Sequence, residues 1–546
     1  MSFKDKVVYQ IYPRSFKDSD GDGTGDIRGI IEKLDYLSFL GVDLIWLTPV
    51  YVSPQCDNGY DVQDYYAIDP IFGTMEDMEE LIREGQKRDI GIMMDMVFNH
   101  TSTQHEWFRK ALEKDPFYRQ FYIFKEGKDG KKPTNWQSKF GGSAWEKVGD
   151  EYYLHLFDKG QADLNWENPC VRNELIKVLR FWLDKGVKGF RFDVVNLISK
   201  DIYRDAEDGL GKEYYTDGKN VGAYLHELNI HSFGKQKDVI TVGEMSATSI
   251  EKCAAYTDPE NEELDMVFSF HHLKTDYENG EKWSDIPYDF KEFKRLIDEW
   301  QNGMQERNGW NSLFLNCHDQ PRSVSRFGDD GMYHEESAKM LGTLIHMLRG
   351  TPYIYQGEEI GMTNAYFDKI DDYRDVESLN CYKILKEQGL PEEKILNILQ
   401  KKSRDNARTP MQWNSHGGFS DAEPWIAMNP NCMEINVEDQ INDPDSILNY
   451  YRKLIELRKE YKIISEGTYV FCDEKIDKIF SYKRKHDQQE LYVICNFSSD
   501  QVPFSIKDRY QILLDNYERE TISSDMILQP YEAIVLYRDQ ANCFIS

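Results

Sequence analysis

Short apolar runs alternate with amphipathic stretches through most of the chain. The runs KVVYQIYP, VDLIWLTPV, IGIMMDMVFNH, VKGFRFDVVN, VITVGEM, MVFSFHH, SLFLNCHD and TPYIYQGEE read as β-strands. Helical periodicity follows several of them: Ile27, Ile30, Ile31, Leu34 and Leu37 share one face, as do Val171, Leu175, Val178, Leu179 and Trp182. Such alternation is the pattern of parallel strands joined by helical crossovers. Eight units of this kind close a (β/α)8 TIM barrel, whose functional residues sit at the C-terminal ends of its strands.

The alternation lapses twice. Between His100 and Pro169 the chain turns aromatic and Gly-rich (FYRQFYIF, NWQSKFGGSAW, YYLHLF, ADLNW), too long for an ordinary connection. This predicts an inserted small domain after the third strand, roofing the barrel. A second irregular excursion, about 363–435, holds RDNARTPMQW. From about 470, alternating runs with turn residues (KIFSYKRKH, ELYVICNFSS, AIVLYR) predict a C-terminal antiparallel β-sandwich. The expected division is a barrel from 1–101 and 169–470, an inserted domain at 102–168 and a sandwich at 471–546.

Composition narrows the setting. With 546 residues, 40% apolar and 13% aromatic, the chain has ample material for a packed core. No apolar run reaches the roughly 18 residues that span a bilayer. The opening MSFKDKVVYQIYP lacks a basic segment, an apolar segment and a cleavage site, so a soluble cytoplasmic protein is expected. Nine cysteines without paired spacing read as reduced thiols. A formal charge of −30 repels nucleic acid and anionic membranes. It does not exclude a small anionic substrate, because salt screens the global field beyond about 8 Å and a local basic cluster dominates nearer in.

Three carboxylates close apolar runs: Asp193 in GFRFDVVN, Glu244 in ITVGEMS and Asp319 in FLNCHDQP. Any one of them alone caps a helix or pairs with a cation as readily as it catalyses. Three in series at strand ends are costly to desolvate and point to a reactive pocket. Glycosidic cleavage needs a group to protonate the leaving oxygen and a carboxylate to meet the oxocarbenium-like centre. His100, His318 and Arg191 are suitable donors to hydroxyls and carboxylates. Arg191 lies two residues before Asp193, so on a strand both face one side and the guanidinium keeps Asp193 ionised, whereas Glu244 is expected to carry a raised pKa. Spacing alone leaves the reaction class open.

The strings DMVFNH, GFRFDVVN, GEM and NCHD, in this order, resemble the signature regions of the α-amylase superfamily, glycoside hydrolase family 13. YQIYPRSF, QADLNWENP, TPYIYQGEEIGMTN and RDNARTPMQW are similar to its oligo-1,6-glucosidase branch. Within that branch NWQSKFGGSAW, DVVNLISKD, EYYTDG, GEMSATS and FSFHHLKTDYENGEKW resemble the trehalose-6-phosphate hydrolases. The resemblance implies a retaining mechanism with Asp193 as nucleophile, Glu244 as acid/base and Asp319 as transition-state stabiliser, with no cofactor for catalysis. It implies sugar contacts from Asp57, Tyr60, His100, Arg191, His318 and Arg408, with Phe140 and Phe157 walling the sugar. The implied partner is a small phosphorylated disaccharide, bound by a monomer. Two alternatives stand: an oligo-1,6-glucosidase on unphosphorylated α-1,6-glucosides, which shares every catalytic residue, and a non-catalytic amylase-like module, which lacks the intact carboxylate set. A sucrose isomerase is disfavoured, because QPRSVSRFGDD follows where those enzymes carry RLDRD.

A phosphate on the transferred ring would meet Asp57, and like charges in a closed pocket repel by several kcal/mol. The phosphorylated ring is therefore expected on the leaving-group side, facing His271, His272 and Lys274. Lys282, in NGEKW, reads rather as a solvent-exposed lysine. Far from this chemistry, DSDGDGTGD sets Asp18, Asp20, Asp22 and Asp26 around Gly23 like the first half of an EF-hand loop. Hard oxygens favour Ca²⁺, although the closing Glu of that motif is missing and a solvated acidic turn is the alternative. The resemblance adds the Thr24 carbonyl as a further ligand to a structural Ca²⁺.

Overall fold

Eight parallel strands form the central sheet of the computed structural model, which describes residues 3–128, 131–472 and 476–539. They are β1 (Val8–Ile11), β2 (Leu44–Leu47), β3 (Gly91–Met96), β4 (Gly189–Phe192), β5 (Ile240–Glu244), β6 (Met266–Phe268), β7 (Ser312–Leu313) and β8 (Thr351–Tyr355). Neighbours run β6-β5-β4-β3-β2-β1-β8-β7, and a parallel bridge from Val267 to Asn311 joins the two ends into a closed (β/α)8 barrel. Each predicted apolar run supplies one strand. Trp46 of β2 meets Phe268 of β6 at 5.6 Å and Tyr353 of β8 at 6.2 Å, so the interior is packed by rings from distant strands.

The surrounding helices form where the periodicity places them. Helix Pro169–Asp184 starts with Pro at its first turn and Asn168 capping the Cys170 N–H; Val171, Leu175, Val178, Leu179 and Trp182 are all buried. Each aliphatic residue of that face contributes roughly 1.5–3 kcal/mol. The face predicted over 27–37 is divided instead between helices Ile27–Glu32 and Leu34–Leu40. Lys33, at the break, donates its N–H to Ile30 and Ile31, and its ammonium lies 4.2 Å from the Trp413 ring.

Between β3 and β4 the chain leaves the barrel. His100–Ser102 pairs antiparallel with Gln161–Asp163, and between them lies a three-stranded sheet of Phe124–Glu126, Glu151–Leu154 and Trp145–Val148. Lys200 fastens the ribbon from the barrel side: its buried ammonium lies 2.9 Å from Asp163 and donates to Asn99 Oδ1 at 2.7 Å. After β8, helices Val376–Glu387 and Glu392–Lys402 lead to the short helix Asp405–Arg408 inside RDNARTPMQW. From Thr468 to Asp539 a five-stranded antiparallel sheet packs on a two-stranded ribbon, with Ile479, Ile494, Phe504, Leu528, Ile534 and Leu536 between them. Among the described residues no helix is long and apolar enough to cross a membrane.

Candidate active site

The C-terminal mouth of the barrel opens into a cavity of about 540 Å³. Asp193, Glu244 and Asp319 all line it, together with Asp57, Tyr60, His100, Phe140 and Phe157. Asp193 directly follows β4, Glu244 ends β5, and Asp319 stands in the turn after β7. Val194, next to Asp193, adopts φ +36°, a left-handed conformation that a β-branched residue pays for with about 1–3 kcal/mol of strain. Strain of that size persists at functional turns, where the surrounding structure fixes it.

Arg191 organises the deep end. Its Nη1 donates to Asp193 Oδ1 at 2.7 Å and to Asp95 Oδ1 at 2.8 Å, and its Nη2 meets Glu244 Oε2. One guanidinium thus touches both carboxylates, Asp193 and Glu244. Asp95 was not singled out by sequence reasoning. It is the registered partner of Arg191 across β3 and β4, and it also accepts hydrogen bonds from Trp46 Nε1 at 3.1 Å and Tyr60 Oη at 3.0 Å. Burial pushes its carboxyl up to about 7, against the pull of Arg191.

A second cationic pair serves Asp319. Arg404 Nη1 donates to Asp319 Oδ1 at 3.0 Å and Arg408 Nη2 at 3.1 Å, and His318 Nε2 lies 3.1 Å from Oδ2. Burial opposes the charge, but His318, Arg404 and Arg408 outweigh it and hold Asp319 well below the usual carboxylate range. Burial pushes the His318 imidazole down to about 3; its Nδ1 is 2.7 Å from Gln10 Nε2 and its ring stacks on Tyr60 at 5.3 Å. Asp57 behaves differently: burial raises its carboxyl to about 7, although Arg404 lies 3.6 Å away and Gln161 Nε2 donates to it at 3.1 Å. His100 Nε2 lies 3.0 Å from the Tyr60 carbonyl, and its ring is 5.1 Å from Phe157.

The geometry amends several expected contacts. Arg191, His318 and Arg408 stand behind the lining carboxylates; the guanidinium that lines the cavity is Arg404, which also lies over the Phe140 ring at 5.5 Å. Arg404 and Arg408 bracket one helical turn in RDNAR, so the motif was visible but not which arginine faces inward. Gln161, in QADLNW, also lines the cavity and was missed. His272 does not reach it: Nε2 bonds the Phe314 carbonyl at 2.9 Å, and burial lowers its pKa to about 4. His271 stacks on Trp300 at 4.7 Å and is likewise lowered by burial to about 4. Neither faces the cavity. Lys274 does, exposed at the rim. Lys282 also lines the cavity instead of pointing to solvent, and it is paired with Glu377 at 2.6 Å.

Two further lysines join the rim. Lys212 is exposed there, and Lys139, from the inserted region, donates to Ser246 Oγ at 2.9 Å. Burial, then Lys212 and Lys274, push the Lys139 ammonium down to about 7. Among the described residues none of these three lysines forms an ion pair with a carboxylate.

Away from the cavity, carboxylate oxygens of Asp18, Asp20 and Asp22 lie within 4.8 Å of one another, a donor set suited to a hard cation. Asp20 is pushed up by burial and by Asp22, repulsion that a cation would relieve. Asp26 does not belong to the group. Its oxygens accept from Ser19 and from the Gly29 N–H as the N-cap of helix Ile27–Glu32. Gly23, at φ +92°, must be glycine, because a Cβ there would lie 2.2 Å from the Glu423 carbonyl.

The description "Alpha amylase, catalytic domain" matches residues 10–467 and "Alpha-amylase SusG C-terminal domain" residues 479–535. The chain is 53% identical to trehalose-6-phosphate hydrolase of Bacillus subtilis (strain 168), over 99% of each chain, and 52% identical to that of Escherichia coli (strain K12), over 97% of each. It is 50% identical to oligo-1,6-glucosidase of Bacillus cereus, over 98% of each. The crystal structure of Bacillus licheniformis trehalose-6-phosphate hydrolase superimposes with a TM-score of 0.95 at 53% identity, covering 98% of this chain and 100% of that one.

Proposed function

Because the chain belongs to the α-amylase family of glycoside hydrolases, we propose that it is a retaining α-glucosidase hydrolysing trehalose 6-phosphate to glucose and glucose 6-phosphate. One observation carries the phosphorylated substrate: Lys139, Lys212 and Lys274 present ammonium groups to the rim of the cavity without acid partners among the described residues. The deep end, closed by Asp57, Arg404 and Gln161, suits the hydroxyls of a neutral glucosyl ring.

In the first step an Asp193 oxygen attacks the anomeric carbon, the glycosidic C–O bond breaks, and Glu244 delivers its proton to the departing oxygen of glucose 6-phosphate. In the second, Glu244 takes a proton from water, whose oxygen displaces Asp193 and frees glucose. A single guanidinium touching both Asp193 and Glu244 holds the two carboxylates together on one side of the cavity, as a retaining mechanism requires. Asp319, held ionised by its cationic neighbours, stabilises positive charge at the anomeric carbon. Arg408 positions Asp319 and the His318 backbone. These steps call for no cofactor.

The acidic loop is assigned a structural Ca²⁺ held by Asp18, Asp20 and Asp22, with the Thr24 carbonyl as a further ligand. A phosphorylated disaccharide does not cross a bilayer unaided, which supports a cytoplasmic enzyme. The test is kcat/KM measured side by side on trehalose 6-phosphate, trehalose and isomaltose. Preference for the phosphorylated sugar by about a hundredfold is expected from several charge-assisted bonds; preference for isomaltose would replace this reading with the oligo-1,6-glucosidase one.

A further inference from the structure

The loop Trp136–Phe140 is pinned along its length. Trp136 is buried, Lys139 N–H donates to the Leu156 carbonyl at 2.8 Å, and Ser138 Oγ donates to the Phe157 carbonyl at 2.7 Å while accepting from Phe140 N–H at 3.1 Å. A backbone held this firmly delivers the Lys139 side chain into the cavity between Phe157 and Tyr215, 6.0 and 5.7 Å from its ammonium. Desolvating an ammonium is expensive unless a counter-charge compensates. Asp163, whose charge favours the ammonium, is already engaged by Lys200 at 2.9 Å. Lys212 and Lys274 add like charge. An anion bound at this corner would meet three ammonium groups at once.

The direct partner of Lys139 carries the argument further. Ser246 lies two residues beyond Glu244, and its backbone is locked to Asn196: Ser246 N–H donates to Asn196 Oδ1 at 2.9 Å, and Asn196 Nδ2 returns a bond to the Ser246 carbonyl at 2.9 Å. Asn196 is fully buried and lies three residues beyond Asp193. One serine thus touches the loops of both carboxylates nearest the scissile bond and the lysine that faces the rim.

Resting on the phosphorylated-substrate reading above, we propose that Lys139 is the phosphate-specificity residue, binding the 6-phosphate of the leaving ring, and that Ser246 is a positioning residue through which this contact orders the Glu244 loop. The phosphate supplies a counter-charge, and the Lys139–Ser246 bond makes its arrival felt at the acid/base.

The experiment compares wild type with Lys139→Ala, Lys139→Arg and Ser246→Ala on trehalose 6-phosphate and p-nitrophenyl α-glucoside, with inhibition constants for glucose 6-phosphate and glucose and a melting curve for each variant. Loss of one charge-assisted bond predicts that Lys139→Ala lowers the ratio of kcat/KM on the phosphorylated sugar to that on the aryl glucoside by roughly tenfold to a hundredfold. It also weakens inhibition by glucose 6-phosphate more than inhibition by glucose, and Lys139→Arg restores most of both. Ser246→Ala lowers kcat on trehalose 6-phosphate more than it raises KM. A wild type that prefers the phosphorylated sugar while Lys139→Ala leaves both ratios unchanged overturns the assignment of Lys139 and spares the proposed function. Absence of any wild-type preference overturns the proposed function itself.

Discussion

The two ends of the cavity solve opposite electrostatic problems. At the deep end, Asp57, Asp95, Asp193, Glu244 and Asp319 are interleaved with Arg191, Arg404 and Arg408, so nearly every charge has a counter-charge within hydrogen-bond reach. At the rim, three lysines repel one another, and among the described residues none of them is ion-paired with a carboxylate. A compensated end binds a neutral ring by directional bonds, whereas an uncompensated end waits for its charge to arrive with the ligand. The net charge of −30 makes the contrast sharper: the chain places unpaired lysines at this rim despite a surplus of acids.

The most severe way to break this division is at Asp193. Replacing Asp193 by Asn should cut kcat by about four orders of magnitude or more, and equally on phosphorylated and aryl substrates, because the deep end serves both. A loss confined to one substrate, seen in parallel steady-state assays, would mean that the two ends are not separate. A middling effect belongs to pH. Asp57 and Asp95 are raised to about 7, against roughly 3.9 in an unfolded chain. Between these values the folded state binds protons that the unfolded state has released, so this contribution to stability is complete below pH 4 and is lost as pH rises through 7. Thermal midpoints of the substrate-free protein should therefore fall from pH 5 to pH 8, and Asp57→Asn should flatten the slope; an unchanged slope would contradict the raised carboxyl. Asp319, depressed instead, contributes stability that is present above the unfolded value and disappears only in acid. The smallest effect is a control on both ends. Chelation should lower the melting temperature by a few degrees through the Asp18 loop and leave the kcat/KM ratio of the two substrates unaltered; a shifted ratio would tie the loop to the cavity.

Some of this was open to reading from residues alone. Strands buried on both faces appear as nearly continuous apolar runs, which is why all eight staves were visible, and a carboxylate ending such a run stands out against it. The orientation of individual side chains was not visible. In the turn His271–Lys274 successive residues point about 120° apart, so Lys274 reaches the cavity while His272 turns to the Phe314 carbonyl. Arg404 and Arg408 are chemically identical and one turn apart, and only packing decides which faces the cavity. Asp95 needed the register of β3 against β4 to meet Arg191. Lys139, Lys212 and Lys274 lie in three remote segments, and their convergence is a property of the closed barrel that no local pattern encodes.

The ribbon His100–Ser102 with Gln161–Asp163 draws the entry and exit of the roof together at one point, where the buried Lys200 clamps them to the staves. Chain that departs and returns through one seam is a cassette, and its underside is keyed to the barrel loops where Asn135 meets Ala206, Trp136 meets Arg204 and Lys139 meets Ser246. Since Lys139, Phe140 and Phe157 ride on it while Lys212 and Lys274 stay with the barrel, a transplant would carry one part of the rim and leave the other with the host.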